Sequence, residues 1–336
     1  MAAYNFKKHI KLYIVYGGLQ YDIDISDISF SQTFTENSYE VKTLHDQSLM
    51  FEGSVINKAN PANFEFSLPI IREPDFDILY DLAVDYDGTS SRKLLKTFDI
   101  YITTQLDTFK LTTCVITSAS FKIEKSQPLG LSISGEAIKL TNSETLPLTS
   151  ETRTTNPTYE IVRDLYVDLD SVSIPDSIYK ATVELQNEIN WLPYTTINNS
   201  LNTTDASTSM YPAFFTLEKR ILAGSIGLYI TDTNDTDLQQ WSTAVPLRIR
   251  AGEDVSGAVR GFDFSMPLVS FTNRLAVSDV FTQAYDFRML SNPTDLSTVI
   301  SHTETLAYTE YFVSDGVGGF EQAYDLNTEQ LFVRAL

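Results

Sequence analysis

The sequence predicts a mainly β protein, a β-sandwich or partial barrel with one flanking helix per domain, built as two tandem copies of one unit. Three observations predict it. Tyr (18) and Phe (20) are abundant beside plentiful Thr and Ser, while Gly (14) and Pro (12) are modest, a palette that suits half-buried pleated strands. Period-2 alternation of apolar and polar residues dominates the chain. The order of strand and helix signals in the first half also recurs after a central polar stretch. With 336 residues, 43% of them hydrophobic, the chain is long enough for two domains with sizeable cores.

In the first half, IKLYIVYGGLQYDIDI (10–25) reads as two strands around Gly17-Gly18, a hairpin turn. DISFSQTFT (27–35) is a further strand, and ANFEFSLPII (62–71) follows a polar connection containing KTLHDQS. EPDFDILYDLAVDY (73–86) carries the clearest helix signal: Pro74 and the acids Asp75 and Asp77 lie in its first turn, with Ile78, Leu79 and Leu82 at helical spacing. TFDIYITT (97–104), FKLTTCVITSASFKIE (109–124) and PLGLSISGEAIKL (128–140) are strands. Residues 141–158 are rich in Thr, Ser and Pro without periodicity, and are read as the connection. The expected division is a domain at 1–145, a linker at 146–158 and a domain at 159–336 with a C-terminal extension.

The second half repeats the order. EIVRDLYVDL (160–169) stands where the first hairpin stood, and ATVELQNEINWL (181–192) matches DISFSQTFT. After a longer polar loop come the strand LAGSIGLYIT (222–231), a short helix signal at NDTDLQQWST (234–243), then VPLRIRAG, GFDFSMPLVSFTNR and DVFTQAYDFRML. Tyr39 and Trp191 lie 152 residues apart, Phe98 and Pro246 148, and Phe109 and Phe262 153. The closest look-alikes in the chain, NFEFSLPII (63–71) and GFDFSMPLV (261–269), are 198 apart and fit none of these spacings. They are two strands with one alternation pattern, and the counterpart of GFDFSMPLV is FKLTTCVIT.

Lys and Arg number 24 against 44 Asp and Glu, a net charge of −20. Such a chain repels nucleic acid, because DNA binding rests on neutralising phosphates with cations. Cys114, the one cysteine, sits in an apolar run and reads as a buried thiol without a partner. The N-terminal stretch has no apolar core of signal-peptide length and no window approaches a transmembrane span, so synthesis and folding in a cytoplasm are expected.

The patterns of catalysis and metal binding are not met. GLSISG (130–135) resembles a serine-hydrolase elbow, but its spacing is one residue too long and it lies in an alternating strand. DTNDTD (232–237) lacks the glycine and glutamate of a calcium loop and reads as a strand-to-helix turn; DYDG (85–88) reads as a helix exit. His9, His45 and His302 sit in unrelated contexts. GVGG (316–319) is followed by no helical pattern. Sequons at Asn198, Asn202 and Asn234 are what chance supplies in a chain rich in Asn and Thr. No catalytic, cofactor-binding or metal-binding residue is named, and neither an enzyme nor a cofactor is expected.

A duplicated, acidic, strand-rich unit with one helix resembles the tail tube proteins of tailed bacteriophages. It is most similar to the major tail tube proteins of flexible, non-contractile (siphovirus) tails that carry two fused domains. The resemblance covers about residues 10–290. It is carried by DISFSQTFTENSYEVKTLHD, EPDFDILYDLAVDYDG and CVITSASFKIEKSQPLGLSISGEAIKL, and by VELQNEINWLPY, RILAGSIGLYITDTNDTDLQQW and FDFSMPLVSFTNRLAVSDVFTQAYDFRML. It implies a structural virion protein, made in the host bacterial cytoplasm, whose copies form homotrimeric, pseudo-hexameric rings stacked into a hollow tube. Phage DNA would pass through the lumen without specific binding. Tail tip, tape measure and tail terminator proteins are the implied partners, and no membrane is. The 192–212 loop would be a ring-to-ring arm or a surface insertion, and the stretch from 261 would face the lumen or the outside. Residues 297–336 are expected to extend the second domain; the chain ends too early for the immunoglobulin-like domain some members add. Two other classes stay open: a β-sandwich receptor- or carbohydrate-binding virion protein, and a β-rich hydrolase with a carboxylate pair. The duplication favours the ring, since a single active site gains nothing from it.

Overall fold

In the computed structural model of the chain, strands form where apolar and polar residues alternate. The structure describes residues 7–39, 53–68, 78–79, 82–83, 95–147, 161–169, 172–173, 178–192, 211–212, 214–230, 244–255, 258–277, 280–290, 300–303, 313–314, 320–325 and 330–335. A 3-10 turn, Lys7–His9, precedes β1 (Lys11–Tyr16), β2 (Leu19–Ile23), β3 (Asp27–Ser31), β4 (Phe34–Tyr39), β5 (Gly53–Ala59) and β6 (Ala62–Leu68). β7 (Phe98–Thr103), β8 (Thr108–Glu124), β9 (Gln127–Pro128) and β10 (Gly130–Thr141) follow. The second half holds β11 (Ile161–Val162), β12 (Asp164–Leu169), β13 (Val172–Ser173), β14 (Ile178–Leu192), β15 (Phe214–Tyr229), β16 (Val245–Val255), β17 (Ala258–Val277) and β18 (Phe281–Met289). Beyond it lie β19 (Ile300–Thr303), β20 (Val313–Ser314), β21 (Phe320–Asp325) and β22 (Gln330–Ala335).

Local chemistry sets the turns. Gly17 and Gly18 have φ of 59° and 83°, the left-handed pair that a two-residue hairpin turn requires, and Tyr16 pairs with Leu19 across them. In β16 and β17, Pro246 and Pro267 cannot donate to a ladder. The register shifts just there, between Val245 and Leu247, so the bulge absorbs both prolines.

Among the described residues, 15 strands join one antiparallel sheet. The first half runs β2-β1-β7-β8-β10-β6-β3 and the second β13-β12-β16-β17-β18-β15-β14. Position for position the two orders agree. The look-alike stretches occupy different places in that order: residues 63–68 run along β6, and 261–269 run along β17. β17 and β8 hold the same place.

One face of the sheet carries a core that runs unbroken from the first half to the second, from Leu12 and Phe66 to Phe264 and Phe287. Strict alternation builds it. In β6, residues 62, 64, 66 and 68 are buried and 63 and 65 exposed; in β18, 283, 285 and 287 are buried. Each fully buried large side chain contributes roughly 1.5–3 kcal/mol. Ile78, Leu79, Leu82 and Ala83 are helical and buried in the same core, at the spacing that predicted a helix over 73–86. The helix signal at 234–243, most of the linker and most of the 192–212 loop lie outside the described residues.

Candidate assembly interface

β14 serves two neighbours. One edge pairs with β15 along its length, and the other pairs with β8, Lys180–Gln186 against Ser118–Glu124. Here the second half of the chain joins the first. Alternation aims Ala181, Val183 and Leu185 into the core, opposite Ile123, Phe121 and Ala119. All six are at most 3% exposed. The Phe121 ring meets the edge of Phe264 from β17, centroids 5.4 Å apart. The joint therefore closes two strand edges and buries apolar surface on both sides, which is how proteins protect an edge.

Polar groups tie the joint past the last ladder pair. Asn187 is buried; its Nδ2 donates to the Ile116 carbonyl at 2.9 Å, and its Oδ1 accepts from Arg220 Nε at 2.8 Å. Arg220 also donates through NH2 to the Ala83 carbonyl at 2.8 Å, so one guanidinium reaches from β15 to the first-half helix. Further along the hairpin, Trp191 and Phe215 meet edge to face and pack with Leu95 and Val115. The Trp191 indole N–H donates to Glu136 Oε2 on β10 at 2.5 Å.

The opposite face of the sheet has another character. One row of paired residues reads Asp27, Ser67, Ser132, Ser120, Glu184, Ala223, Arg288 and Ser270 across β3, β6, β10, β8, β14, β15, β18 and β17. The neighbouring row begins Ser29, Glu65, Ser134, Ser118, Gln186. The rows cross the joint without a break. Small hydroxyls and carboxylates dominate them. Two of the cations there stand beside acids: Lys180 is paired with Glu124 in the ladder, and Arg274 lies 3.9 Å from Asp286. Ser118 Oγ and Gln186 Nε2 both donate to Glu184 Oε1, at 3.3 and 2.8 Å.

At the two ends of these rows a strand edge has no neighbour among the described residues. β3 pairs with β6 alone, and β17 beyond Val269 pairs with β18 alone, its contact with β16 having ended.

The motifs weighed for chemistry fall into place as structure where they are described. Ser132 and Ser134 of GLSISG lie within β10. Cys114 is buried and free, its thiol donating to the Leu111 carbonyl at 3.4 Å; burial, and after it the Asp99 charge, pushes its pKa well above the ordinary thiol value. His9 lies in the 3-10 turn and His302 in β19; His45, DTNDTD, DYDG, GVGG and the three sequons lie outside the described residues. Among the described residues no group of three or more His, Cys, Asp and Glu could hold a metal, and no helix is long and apolar enough to cross a membrane. Of the basic residues after 261, Arg274 and Arg288 lie on the hydroxyl-rich face, and Arg334 lies in β22. Sequence reading missed the β14–β8 joint and the serine rows. The rows were signalled by alternating serines in SASF, FSLP and LSISG.

A comparison with curated proteins returned no match. The sequence model of the Bacteriophage Baseplate Tube Protein Family matches residues 2–305, both halves of the sheet and the joint between them. With nearly the whole chain matched and a mainly β fold beneath it, the protein belongs to the Bacteriophage Baseplate Tube Protein Family, a structural tube component of the phage virion.

Proposed function

We propose that the chain self-assembles into trimeric, pseudo-hexameric rings of the hollow tube through which phage DNA passes during ejection. Each chain contributes two tube domains, 1–145 and 159–336, joined by 146–158. The observation that carries this reading is the agreement of the two strand orders together with the β14–β8 joint. Two equivalent units already meet edge to edge within one chain, so further units can meet by the same contact around a closed ring. Three chains supply six units, and each edge of this kind is then covered by a neighbour.

The hydroxyl- and carboxylate-rich face supports the conduit. DNA slides past a wall that offers few unbalanced cations for its phosphates, since phosphate neutralisation is the source of sequence-independent affinity. In this reading the Ser67–Ser132–Ser120–Glu184 row faces the lumen and the apolar face, with the helical residues 78–79 and 82–83 packed on it, faces outward. The family description supports a place at the baseplate end of the tail over a place along its shaft; the tail we propose is the flexible, non-contractile kind that the sequence resembles. The proposed partners are further copies of the chain and the tail tip and tape measure proteins, and no chemistry is required of it.

Native mass spectrometry and negative-stain electron microscopy of the purified protein at rising concentration test this. The expected result is a species of three chains that averages to a threefold, pseudo-sixfold ring. Rings that stay discrete fit the baseplate place; tubes of indefinite length would move the protein to the shaft. Particles without a central hole would overturn the conduit.

A further inference from the structure

Resting on the ring reading above, we infer that neighbouring copies meet by pairing β3 of one chain with Phe271–Val277 of β17 in the next. The pairing is antiparallel, with Phe30 opposite Leu275, Ser31 opposite Arg274 and Ile28 opposite Val277. The partner is thus a second copy of this chain, and the register is specified.

The in-chain joint supplies the template. β3 holds the place of β14, and β17 that of β8. Cross-strand pairs fix the correspondence. Leu68 faces Leu131 and Leu131 faces Phe121 in the first half; Leu228 faces Gln283 and Gln283 faces Leu275 in the second. Leu275 therefore stands where Phe121 stands. Likewise Phe30 faces Phe64, which faces Gly135, while Val183 faces Gly224, which faces Phe287. Phe30 therefore stands where Val183 stands. Since Val183 faces Phe121 in the joint, Phe30 is to face Leu275.

Exposure marks the same edge independently. Phe121, covered by β14, is 3% exposed; Leu275, in the equivalent place, is 58% exposed. Phe281, Leu275's neighbour across the β17–β18 hairpin end, is 54% exposed. Both belong to a sheet position whose counterpart is core. On the other side, β3 keeps one backbone edge unpaired among the described residues, with Ile28 buried and Phe30 half-buried. Backbone donors, an apolar strip and matching strand direction are present on both edges. They lie at opposite ends of the residue rows that run from β3 to β17, as a head-to-tail contact that closes a ring requires.

The test is a disulfide across the inferred pair. Paired residues in an antiparallel ladder have Cα atoms about 4.5–5.5 Å apart, within the span of a disulfide. Ser31→Cys with Arg274→Cys places both thiols on the hydroxyl-rich face, and buried Cys114 does not compete. On mild oxidation, covalent species up to three chains are expected on non-reducing electrophoresis, with peptide mapping joining residues 31 and 274. Asp27→Cys with Arg274→Cys, four positions out of register and roughly 13 Å apart, is expected to stay uncrosslinked. A trimer by native mass without the 31–274 bond overturns this joint and leaves the ring reading standing. Absence of any trimer overturns both. Leu275→Asp should keep the wild-type circular dichroism and shift the native mass from three chains to one; a trimer that survives it counts against the joint.

Discussion

At the scale of single residues, the two halves solve one packing problem with the partners exchanged. In the first, Phe64 on β6 faces Gly135 on β10; in the second, Gly224 on β15 faces Phe287 on β18. The position in the strand order is the same, and the aromatic ring lies over the glycine. A Cβ on Gly135 would fall 2.3 Å from both Phe64 Cζ and the Val115 carbonyl, and on Gly224 2.0 Å from the Thr182 carbonyl and 2.6 Å from Phe287 Cζ. Backbone atoms bound each site, so a ring flip does not relieve it. Gly135→Ala and Gly224→Ala are each expected to lower stability by about 1–3 kcal/mol, read as a fall in urea midpoint at unchanged m-value. Cys114 gives a pH-dependent prediction. Burial holds its pKa above the unfolded value of about 8.5, so the fold prefers the neutral thiol. The stability this contributes is complete below that pH and is lost as pH rises toward the folded value. The urea midpoint of the wild type should therefore fall further between about pH 7.5 and pH 10 than that of Cys114→Ala. Equal falls in the two proteins would refute the assignment.

At the scale of elements, the joint hairpin of β14 and β15 offers the sharpest test. Asn187→Ala removes a buried amide and leaves the Ile116 carbonyl and the Arg220 Nε without their partner. A loss of about 1–3 kcal/mol is expected, with faster amide exchange along Ser118–Glu124 and Lys180–Gln186. A loss without that local change would place the cost elsewhere. The strands themselves were legible in the sequence: 97–104, 109–124 and 181–192 were expected, and Phe98–Thr103, Thr108–Glu124 and Ile178–Leu192 are found. One-face burial makes alternation strict, and strict alternation is readable. β15 was expected at 222–231 but starts at Phe214. Its first half carries Glu218, Lys219 and Arg220, a charged run that reads as loop until Arg220 is seen reaching Asn187 and Ala83. The joint was not legible at all. Alternation says which face of a strand is buried; it says nothing of which edge has a neighbour, and β8 and β14 lie far apart in the chain. The exclusion of 63–71 against 261–269 as a repeat pair did follow from order, since an alternating pattern recurs wherever a strand has one buried face.

For the whole molecule, charge and assembly oppose each other. In the proposed trimer, three chains of net charge −20 each repel, and salt screens that repulsion, the Debye length shrinking from about 30 Å at 0.01 M to about 8 Å at 0.15 M. Trimer formation is therefore expected to strengthen as salt rises over that range, with the dissociation constant by native mass or sedimentation falling; a rise would mean that ion pairs hold the ring. DNA binding should move the opposite way. In the proposed ring the Ser120, Ser132 and Glu184 row faces the lumen, a surface with hydroxyls and an acid in place of phosphate-binding cations. Substituting all three by Lys leaves the core face untouched, because these residues point away from it. If that row lines the conduit, the variant ring should retain short double-stranded DNA at low salt where the wild type does not. Its affinity should fall as salt rises, with a log–log slope of about −0.9 for each phosphate neutralised. Placing three lysines instead at Asn142, Glu144 and Thr145, in the described stretch that follows β10, makes the same charge change away from that row. Equal DNA retention by the two variants would mean that net charge alone governs binding, and the lumen would have to be sought on another surface.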